Sequence, residues 1–352
     1  MLKRTTRKVK VAILFGYSGT GYSGMQIQPD VNTIEKELLK ALYEAKLVSE
    51  SNKMDVNKVN FMRCARTDKG VHALGQVINL KLEMESDDLN EAKRRLNLCL
   101  PDQIRIWDIL KTTKAFHAKD LCSSRHYSYW MPTYIFENKP GPNDAYRMTE
   151  DQLTKIQSIL DMYKGSHKFH NFTVKVSGSS DKARRNMMDL KVENPIICNY
   201  PINIDNRTSG EWIKIHIHGQ SFMLHQIRKM MSLIIFILRY NLDSDKIVAY
   251  LMDPTTKQSI PKAPALGLLL YYPEFEFYHL KLENLKATNS AFEMKEKVDL
   301  KVHVDEMTEF FHNRIFPSML QEEIDGIDRF TKWIEQLESE KDYLEPFKQF
   351  VK

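Results

Sequence analysis

The spacing of apolar and polar residues predicts both strands and helices in the first half of the chain. Residues 8–17 read KVKVAILFGY and predict a strand, and a second strand over 75–82 places apolar side chains at every other position. Between them, apolar residues recur three and four positions apart over 33–47, which predicts an amphipathic helix. Asn32 and Glu35 predict an N-terminal capping box, because such side chains can satisfy the first amides of a helix.

The rest of the chain follows the same rules. Asp88 is the predicted cap of a helix that ends near Cys99, and Thr149 caps another helix with Gln152 in the capping-box position. A longer, largely apolar helix is predicted over residues 222–240. Further strands are predicted over residues 59–64, 104–110, 126–131, 187–192, 211–218 and 266–272. Adjacent strands without regular β–α–β alternation predict an α+β fold with antiparallel sheet.

Changes in sequence texture predict three regions. A stretch rich in Pro, Gly and Asn, residues 132–149, separates two halves, and charged amphipathic segments such as 328–337 dominate after residue 283. We therefore expect an N-terminal half of the core over 1–131, a C-terminal half of the core over 132–282 and a helical extension over 283–352.

Composition limits the classes of protein that this chain can belong to. The 352 residues are 42% hydrophobic and 28% charged, so a sizeable core is expected and global disorder is excluded. A net charge of +5 permits a polyanionic partner without requiring one. The longest apolar run, over 230–238, is too short to span a bilayer, and the N-terminal sequence MLKRTTRKVK has no apolar signal core. We expect no membrane association.

The four cysteines have no motif spacing. Cys64, Cys99, Cys122 and Cys198 form no CxxC pair, which argues against a zinc site and against a disulfide framework. A reducing intracellular compartment is the simplest expectation.

A glycine-rich segment imitates a nucleotide-binding motif. Residues 19–24 read GTGYSG after a strand, but a dinucleotide site needs a helix that begins at this loop, and Pro29 opposes one there. Two other interpretations stay open. The segment is either a flexible glycine loop or a loop that approaches an RNA backbone closely.

The most informative chemistry lies in residues 63–73, RCARTDKGVHA, between two predicted strands. This charged loop could simply be solvated. Alternatively, Arg66 and Lys69 keep Asp68 ionised, so that it can act as a nucleophile or a base.

At this point the sequence resembles the TruA family of pseudouridine synthases, because ARTDKGVHA is similar to the signature loop of that family. Five other blocks match in the order of the family, and the resemblance extends from about residue 9 to 272. These blocks are residues 17–26 (YSGTGYSGMQ), 100–105 (LPDQIR) with 116–118 (FHA), 125–129 (RHYSY), 222–230 (FMLHQIRKM) and 264–268 (PALGL). The amino-acid sequence of residues 165–173 and 219–223 resembles that of the eukaryotic pseudouridine synthase 1 branch.

The resemblance implies a fold and a reaction. The expected fold has two ferredoxin-like α/β halves with mixed, largely antiparallel sheets around a central basic cleft, plus the C-terminal helical extension. The expected activity is isomerisation of uridine to pseudouridine in tRNA, at positions twenty-seven and twenty-eight of the anticodon stem. Small nuclear RNA or messenger RNA are possible additional substrates.

The resemblance also implies roles for individual residues. Asp68 is the catalytic carboxylate, which either adds to C1′ of the ribose or removes a proton from C2′. Arg66 stabilises the flipped-out nucleotide, Tyr127 stacks on the uracil, and Leu268 lines its pocket. Arg228 is the basic partner of Asp68.

The position of Arg228 in the sequence supports that role. Leu224, Arg228 and Ser232 share one face of a predicted apolar helix, where a charge needs a carboxylate partner. The alternative is that the guanidinium reaches solvent.

Phosphate contacts and stacking are the expected sources of RNA affinity. Histidine pairs at 167 and 170 and at 216 and 218 could suggest a metal, but the second pair lies on one strand face without an obvious third ligand. We expect no catalytic metal and no cofactor, since the isomerisation is redox-neutral. The predicted substrate-binding residues are Lys69, His72, His170, Arg184, Arg185, His225 and Leu268, with Lys168, Lys182 and Lys229 as further candidates.

Two functions from other classes stay open. One is an RNA-binding protein without activity, and the other is a hydrolytic glycosidase, which normally needs two carboxylates at the bond. The expected compartment is the nucleus, with cytoplasm or mitochondrion as alternatives, and the favoured oligomeric state is a monomer.

Overall fold

The structure is a computed structural model that describes residues 7–53, 55–139, 143–204, 207–325, 329–339 and 345–352. Strands and helices are mixed along these residues, which confirms the α+β class. The strands are β1 (Arg7–Tyr17), β2 (Met62–Arg63), β3 (His72–Met84), β4 (Ile104–Lys111), β5 (Ser124–Pro132), β6 (Gly165–Lys168), β7 (Arg184–Val192), β8 (Ile196–Ile204), β9 (Arg207–Gly219) and β10 (Leu268–Glu274).

The α-helices are distributed along the whole described sequence. They are α1 (Ile34–Glu44), α2 (Leu89–Cys99), α3 (Glu150–Tyr163), α4 (Gln226–Arg239), α5 (Ser244–Met252), α6 (Glu276–Thr288), α7 (Val304–Phe310), α8 (Phe316–Ile324) and α9 (Arg329–Ser339). Among the described residues, no helix combines the length and the apolar character needed to cross a bilayer.

The described residues form two compact units. The first contains the chain up to Arg125 together with Leu270–Phe316, and the second contains His126–Leu269 and Pro317–Lys352. Residues of the predicted extension, 283–352, are thus divided between both units. The division into three domains and the two ferredoxin-like halves stay predictions.

The first unit is organised around β1. This strand pairs antiparallel with β3 on one side and with β4 on the other, β2 adds to β3, and β10 is the next neighbour of β3. Val11, Ile13 and Phe15 are fully buried, as the apolar strand pattern predicts.

In the second unit the strand order is β5–β9–β7–β6, and β8 pairs with β9. The pairs β6/β7, β7/β9 and β8/β9 are antiparallel, as expected. Ile213 and Ile215 are fully buried, as their alternation predicts, but Trp212 on the opposite phase of β9 is also fully buried. Its ring meets Phe330 of α9 edge to face at 6.2 Å, so the C-terminal helix covers this tryptophan.

The predicted caps are confirmed for two helices and wrong for a third. Asp88 accepts from Glu91 N, and Thr149 with Gln152 forms the capping box of α3. For α1 the cap is Thr33, whose hydroxyl accepts from Lys36 N, and Asn32 is not the cap. Glu35 does not close a capping box because its carboxylate accepts from Ile27 N and binds Arg63.

The C-terminal prediction of a helix over 328–337 is confirmed from Arg329 onward, where α9 begins, while Asp328 lies outside the described residues. Arg239 of α4 contacts Glu338 through two nitrogens, at 3.1 and 2.8 Å, and this ties α9 to the core helix of the same unit.

Candidate active site

The loop that carries Asp68 is fixed by buried hydrogen bonds at the residues that precede the aspartate. The Gln76 amide donates to Ala65 O at 3.0 Å and accepts from Ala65 N at 3.2 Å. Two residues later, the Thr67 hydroxyl lies 2.8 Å from the hydroxyl of Tyr17, at the end of β1. Buried hydrogen bonds of this kind hold a loop in one conformation, because breaking one would leave a buried polar group with neither a protein partner nor water.

Burial alternates along this loop and determines which side chains reach outward. Thr67 is 8% exposed, Asp68 is half-buried, and Arg66 and Lys69 are exposed. Val71 N donates to Asp68 O at 3.1 Å across a tight turn in which Gly70 has a φ of +76°. The structure therefore presents the Asp68 carboxylate between two exposed cations on a fixed backbone.

The glycine segment 19–24 packs against this loop. A Cβ atom at Gly19 would lie 2.3 Å from Val71 O, and one at Gly24 would lie 2.8 Å from Thr67 O. Met25 N donates to Thr67 O at 3.1 Å, so the two backbones are directly joined. Of the two open interpretations, a loosely held glycine loop does not fit these contacts. The rejection of a dinucleotide site agrees with the structure, because α1 begins only at Ile34.

His72 has an internal role in the first unit. It is fully buried, and its Nδ1 accepts from Gly19 N at 3.1 Å and lies 3.4 Å from the Ser18 hydroxyl. This histidine, which was expected to bind substrate, therefore holds the glycine segment in place. Its part in substrate binding would be indirect.

In the second unit, three motif segments hold one another. The Tyr129 hydroxyl donates to Pro264 O at 2.7 Å, Arg228 Nε donates to Ala263 O at 2.6 Å, and Ala263 N donates back to Arg228 O at 3.1 Å. Leu268, 9% exposed, follows this segment. The strand β5, the helix α4 and the segment before β10 thus form one framework, to which the Tyr129 hydroxyl contributes.

Tyr127 lies on the same strand as Tyr129 and two residues before it. Its side chain is 7% exposed, and its ring meets Phe222 edge to face at 5.0 Å. Phe222 therefore fixes the orientation of the tyrosine that we expect to stack on uracil.

The start of α4 differs from the prediction. The helix begins at Gln226, because His225 has a φ of +65° in the left-handed region and ends the preceding turn. Leu224 is consequently outside the helix and 54% exposed, so the prediction that it shares a face with Arg228 is wrong. Arg228 and the predicted substrate-binding His225 are both half-buried.

Two predicted RNA contacts are internal. His170 is buried, and its Nε2 lies 2.8 Å from Thr256 O. Lys229 is buried, and its ammonium donates to Thr173 O at 2.8 Å and to Asn171 O at 3.3 Å. Burial lowers the pKa of Lys229 to about 8. Both side chains hold a segment of their own unit and are buried in this conformation.

The remaining basic candidates cluster at the start of β7. Arg184 and Lys182 are exposed, and Lys168 donates to Gly178 O at 2.8 Å. Arg185 donates to Lys182 O at 2.9 Å and to Arg184 O at 2.6 Å. These cations remain candidates for phosphate contacts because the acceptors in these bonds are uncharged backbone carbonyls.

Sequence reasoning missed a third histidine beside the pair on β9. His126 Nδ1 lies 3.2 Å from His216 Nε2, and the His126 ring stacks on His218 at 3.7 Å between centroids. Burial lowers the pKa of His216. The pairing of β5 with β9 brings these rings together, which no spacing in the sequence indicates. The expectation of no catalytic metal stays a prediction.

Sequence reasoning also missed Tyr17 and Gln76, although both side chains form the hydrogen bonds that hold the Asp68 loop. Tyr17 ends the first apolar strand, immediately before the glycine segment, and Gln76 is a polar residue on the apolar phase of β3. A buried amide next to a charged loop is a signal that could have found it.

Comparisons with known proteins show which family this chain is related to. A family model described as tRNA pseudouridine synthase matches residues 159–276. The tRNA pseudouridine synthase 1 of Kluyveromyces lactis is 34% identical over 88% of this chain and 69% of its own length. The Pseudouridylate synthase 1 homolog of Mus musculus is 35% identical over 92% of this chain and 72% of its own length. The tRNA pseudouridine synthase 1 of Saccharomyces cerevisiae is 38% identical over 78% and 63%.

The chain belongs to the tRNA pseudouridine synthase family. The resemblance found in the sequence motifs is thereby confirmed, and so is the enzyme class, an isomerase. The chain spans about two thirds of the length of the relatives that it matches. The roles of individual residues, including the pairing of Asp68 with Arg228, stay predictions.

Proposed function

We propose that this chain isomerises uridine to pseudouridine in tRNA, with Asp68 as the catalytic carboxylate. One observation carries the proposal. Asp68 lies half-buried on a backbone that the Tyr17–Thr67 and Gln76–Ala65 hydrogen bonds fix, between exposed Arg66 and Lys69. A carboxylate held in this way can act on a ribose, while the neighbouring cations can hold phosphates.

The reaction breaks the bond from C1′ to N1 of uracil and forms a bond from C1′ to C5. The Asp68 carboxylate either adds to C1′ and later leaves, or takes the C2′ proton and later returns it. In both routes the uracil turns within the site, and finally C5 loses its proton while N1, which carries no proton in uridine, gains one. One carboxylate suffices because no water is activated.

The other assigned residues support this chemistry within the proposal. Arg66 holds the extruded nucleotide, because a base inside a helix is out of reach of the ribose-acting group. Tyr127 stacks on the uracil, Leu268 lines the pocket, and Arg228 is the partner of the Asp68 carboxylate. The orientation of Tyr127 by Phe222 supports its role.

Within this proposal the preferred uridines are positions twenty-seven and twenty-eight of the anticodon stem. Small nuclear RNA and messenger RNA are proposed as additional substrates, and the nucleus is the proposed compartment. The basis is the resemblance to the eukaryotic pseudouridine synthase 1 branch. Mapping modified positions in RNA from cells that lack the protein would test the substrates, and imaging of a tagged full-length protein would test the compartment.

The decisive experiment incubates the full chain with unmodified tRNA and maps pseudouridine. We expect product at defined uridines without release of free uracil. Asp68→Asn should lower turnover on the order of 10²–10⁴-fold while tRNA still binds. Asp151→Asn, which removes an exposed carboxylate from the first turn of α3, is the matched control and should retain turnover.

The alternative functions give different results in the same assay. Free uracil would identify a hydrolase, and binding without product by the unmodified chain would identify an RNA-binding protein without activity. If Asp68→Asn turned over tRNA as fast as Asp151→Asn, the assignment of Asp68 would be wrong.

A further inference from the structure

The turn before α4 exposes a large apolar side chain near the tyrosine that we expect to stack on uracil. Leu224 is 54% exposed. It lies two residues after Phe222, whose ring meets Tyr127 edge to face at 5.0 Å. Because two residues span at most about 7 Å, the backbone of Leu224 lies within that distance of Phe222. One exposed leucine is common on protein surfaces, so the argument depends on how this one is held.

The turn itself is fixed by hydrogen bonds on both sides of Leu224. Gln226 N donates to Met223 O at 3.1 Å, and the side-chain carbonyl of Gln226 accepts from Met223 N at 2.9 Å. Between them, His225 has a left-handed conformation with a φ of +65°, which directs the chain away from the path of the helix. Leu224 therefore projects to solvent from a backbone with little freedom to move.

A second segment is bound to the same turn. The hydroxyl of Thr173, which is buried, donates to Leu224 O at 2.9 Å. The next residue, Val174, is 40% exposed, so two aliphatic side chains reach solvent from two segments that one hydrogen bond joins. Asn171, two residues before Thr173, donates through its amide to Leu251 O at 2.8 Å and fixes this segment against α5. The exposed aliphatic side chains are thus carried by a framework of buried polar bonds.

Cations lie on both sides of this apolar surface. Gln220 N donates to Asn186 O at 3.1 Å, which places the start of β7 beside the start of the turn. Exposed Arg184 lies two residues before Asn186, and exposed Lys175 follows Val174 directly. This combination suits RNA, because cations contact phosphates while an apolar side chain can enter between bases. A protein partner would need a much larger interface than two side chains offer.

We propose that Leu224 is a wedge that enters the RNA base stack and fills the gap left by the uridine that is extruded for isomerisation. This inference rests on the proposed function, since an enzyme that acts on a paired uridine must first take it out of its stem. An apolar wedge makes no hydrogen bond to a base, so it fits beside any neighbouring base pair. Leu224 supports the opened stack from its fixed turn, while Tyr127 receives the extruded uracil.

The test measures single-turnover formation of pseudouridine by the full chain on two RNAs. In the first RNA the target uridine is paired in its stem, and in the second the opposite base is changed so that the uridine is mismatched. Leu224→Ala should lose roughly 10–100-fold in rate on the paired RNA, because the wedge offsets part of the cost of unstacking. On the mismatched RNA, where extrusion costs less, it should be close to the unmodified chain.

Two further variants and a binding measurement complete the test. Leu224→Met keeps an apolar side chain of similar size and should retain the rate on both RNAs. Leu280→Ala, at a 58% exposed leucine of α6, is the matched control and should change neither rate. 2-Aminopurine placed next to the target uridine of the paired RNA reports loss of stacking by a rise in fluorescence. At saturating protein this rise should be smaller for Leu224→Ala than for Leu280→Ala.

Two results would overturn the proposal. One is a Leu224→Ala variant that is slowed equally on the paired and the mismatched RNA, which would mean that the side chain supports the site without displacing a base. The other is a variant that matches Leu280→Ala in both rate and fluorescence on the paired RNA. Absence of pseudouridine with the unmodified chain on both RNAs would instead contradict the proposed function, and the fluorescence comparison would still decide whether Leu224 opens the stack.

Discussion

Two loops of this chain each contain an Asp-Lys pair and arginine, but the structure holds them in different ways. The Asp68 loop, residues 64–71, is anchored by buried side chains, of which Tyr17 and Gln76 are the main ones. The basic loop, residues 177–185, contacts its surroundings mostly through backbone, such as Phe169 N to Ala183 O at 2.9 Å, and its cations are largely exposed.

The difference distinguishes two kinds of site. A group that acts on one ribose atom needs a backbone fixed by buried hydrogen bonds, since a small displacement of that group lowers the rate of the chemical step. A group that binds phosphate needs charge and reach, and RNA affinity tolerates exposed, adaptable side chains. Charge content alone gives no indication of which loop is which, whereas buried partners do.

Gly24→Ala should have the largest effect, because it strains the anchored loop directly. Gly24 has a φ of +96°, and a Cβ atom there would lie 2.8 Å from Thr67 O. We expect a free energy of unfolding lower by about 1–3 kcal/mol and a severe loss of turnover. Chemical denaturation and a single-turnover assay on tRNA measure the two effects.

Gly21→Ala is the control for Gly24→Ala. Gly21 also has a positive φ, +81°, but its Cβ position has no neighbour within 4 Å. It should lower stability by about 1 kcal/mol and leave turnover close to that of the unmodified chain. Equal losses of turnover in both variants would contradict the anchoring of the Asp68 loop by the glycine segment.

Tyr17→Phe should have a smaller effect on the same loop. It removes the hydroxyl 2.8 Å from that of Thr67 and leaves a buried polar group without this partner, which costs about 1 kcal/mol. Thermal unfolding and turnover should both decline, while Tyr43→Phe, a change at a 37% exposed ring, should change neither. Unchanged turnover in Tyr17→Phe would show that this hydroxyl does not position the loop for catalysis.

Arg184→Gln tests the second loop and should leave the chemical step unchanged. We expect weaker binding to every tRNA, whatever its sequence. The slope of log affinity against log salt concentration should decrease in magnitude by about 1. Lys191→Gln, at an exposed position of the same strand β7, is the control. Binding measured over a salt series decides the matter. An altered rate at saturating tRNA would show that Arg184 affects the chemical step as well as binding.

Lys229→Met should have the smallest effect on tRNA binding, and it should change the pH dependence of stability. Burial lowers the pKa of Lys229 from 10.5 to about 8, so between these values the unfolded chain binds more protons than the folded chain. The contribution of Lys229 to the free energy of unfolding is therefore least favourable below pH 8, and it rises from there towards pH 10.5. Lys229→Met should remove this rise in denaturation curves and leave the salt slope of tRNA binding unchanged. A changed salt slope would restore Lys229 as an RNA contact.

Much of the fold follows from local pattern. The apolar alternation of residues 8–17 and the caps at Asp88 and Thr149 depend on neighbours in the chain, so sequence reasoning placed these elements correctly. The start of α4 could not be predicted, since the left-handed conformation of His225 depends on the contacts of the turn before it. Nor could the burial of Lys229, a predicted phosphate contact, be predicted, since its partners Asn171 and Thr173 are distant in the sequence.

The sequence by itself determined the family, the α+β class and the aspartate loop, because motif order and short-range periodicity are written along the chain. Only the tertiary structure decided which side chains hold that loop. Tyr17 reaches it from β1 and Gln76 reaches it from β3, and both partners lie outside the loop in the sequence. Burial makes the difference: a polar group gains a fixed partner only when folding excludes water from it, and no local pattern encodes that exclusion.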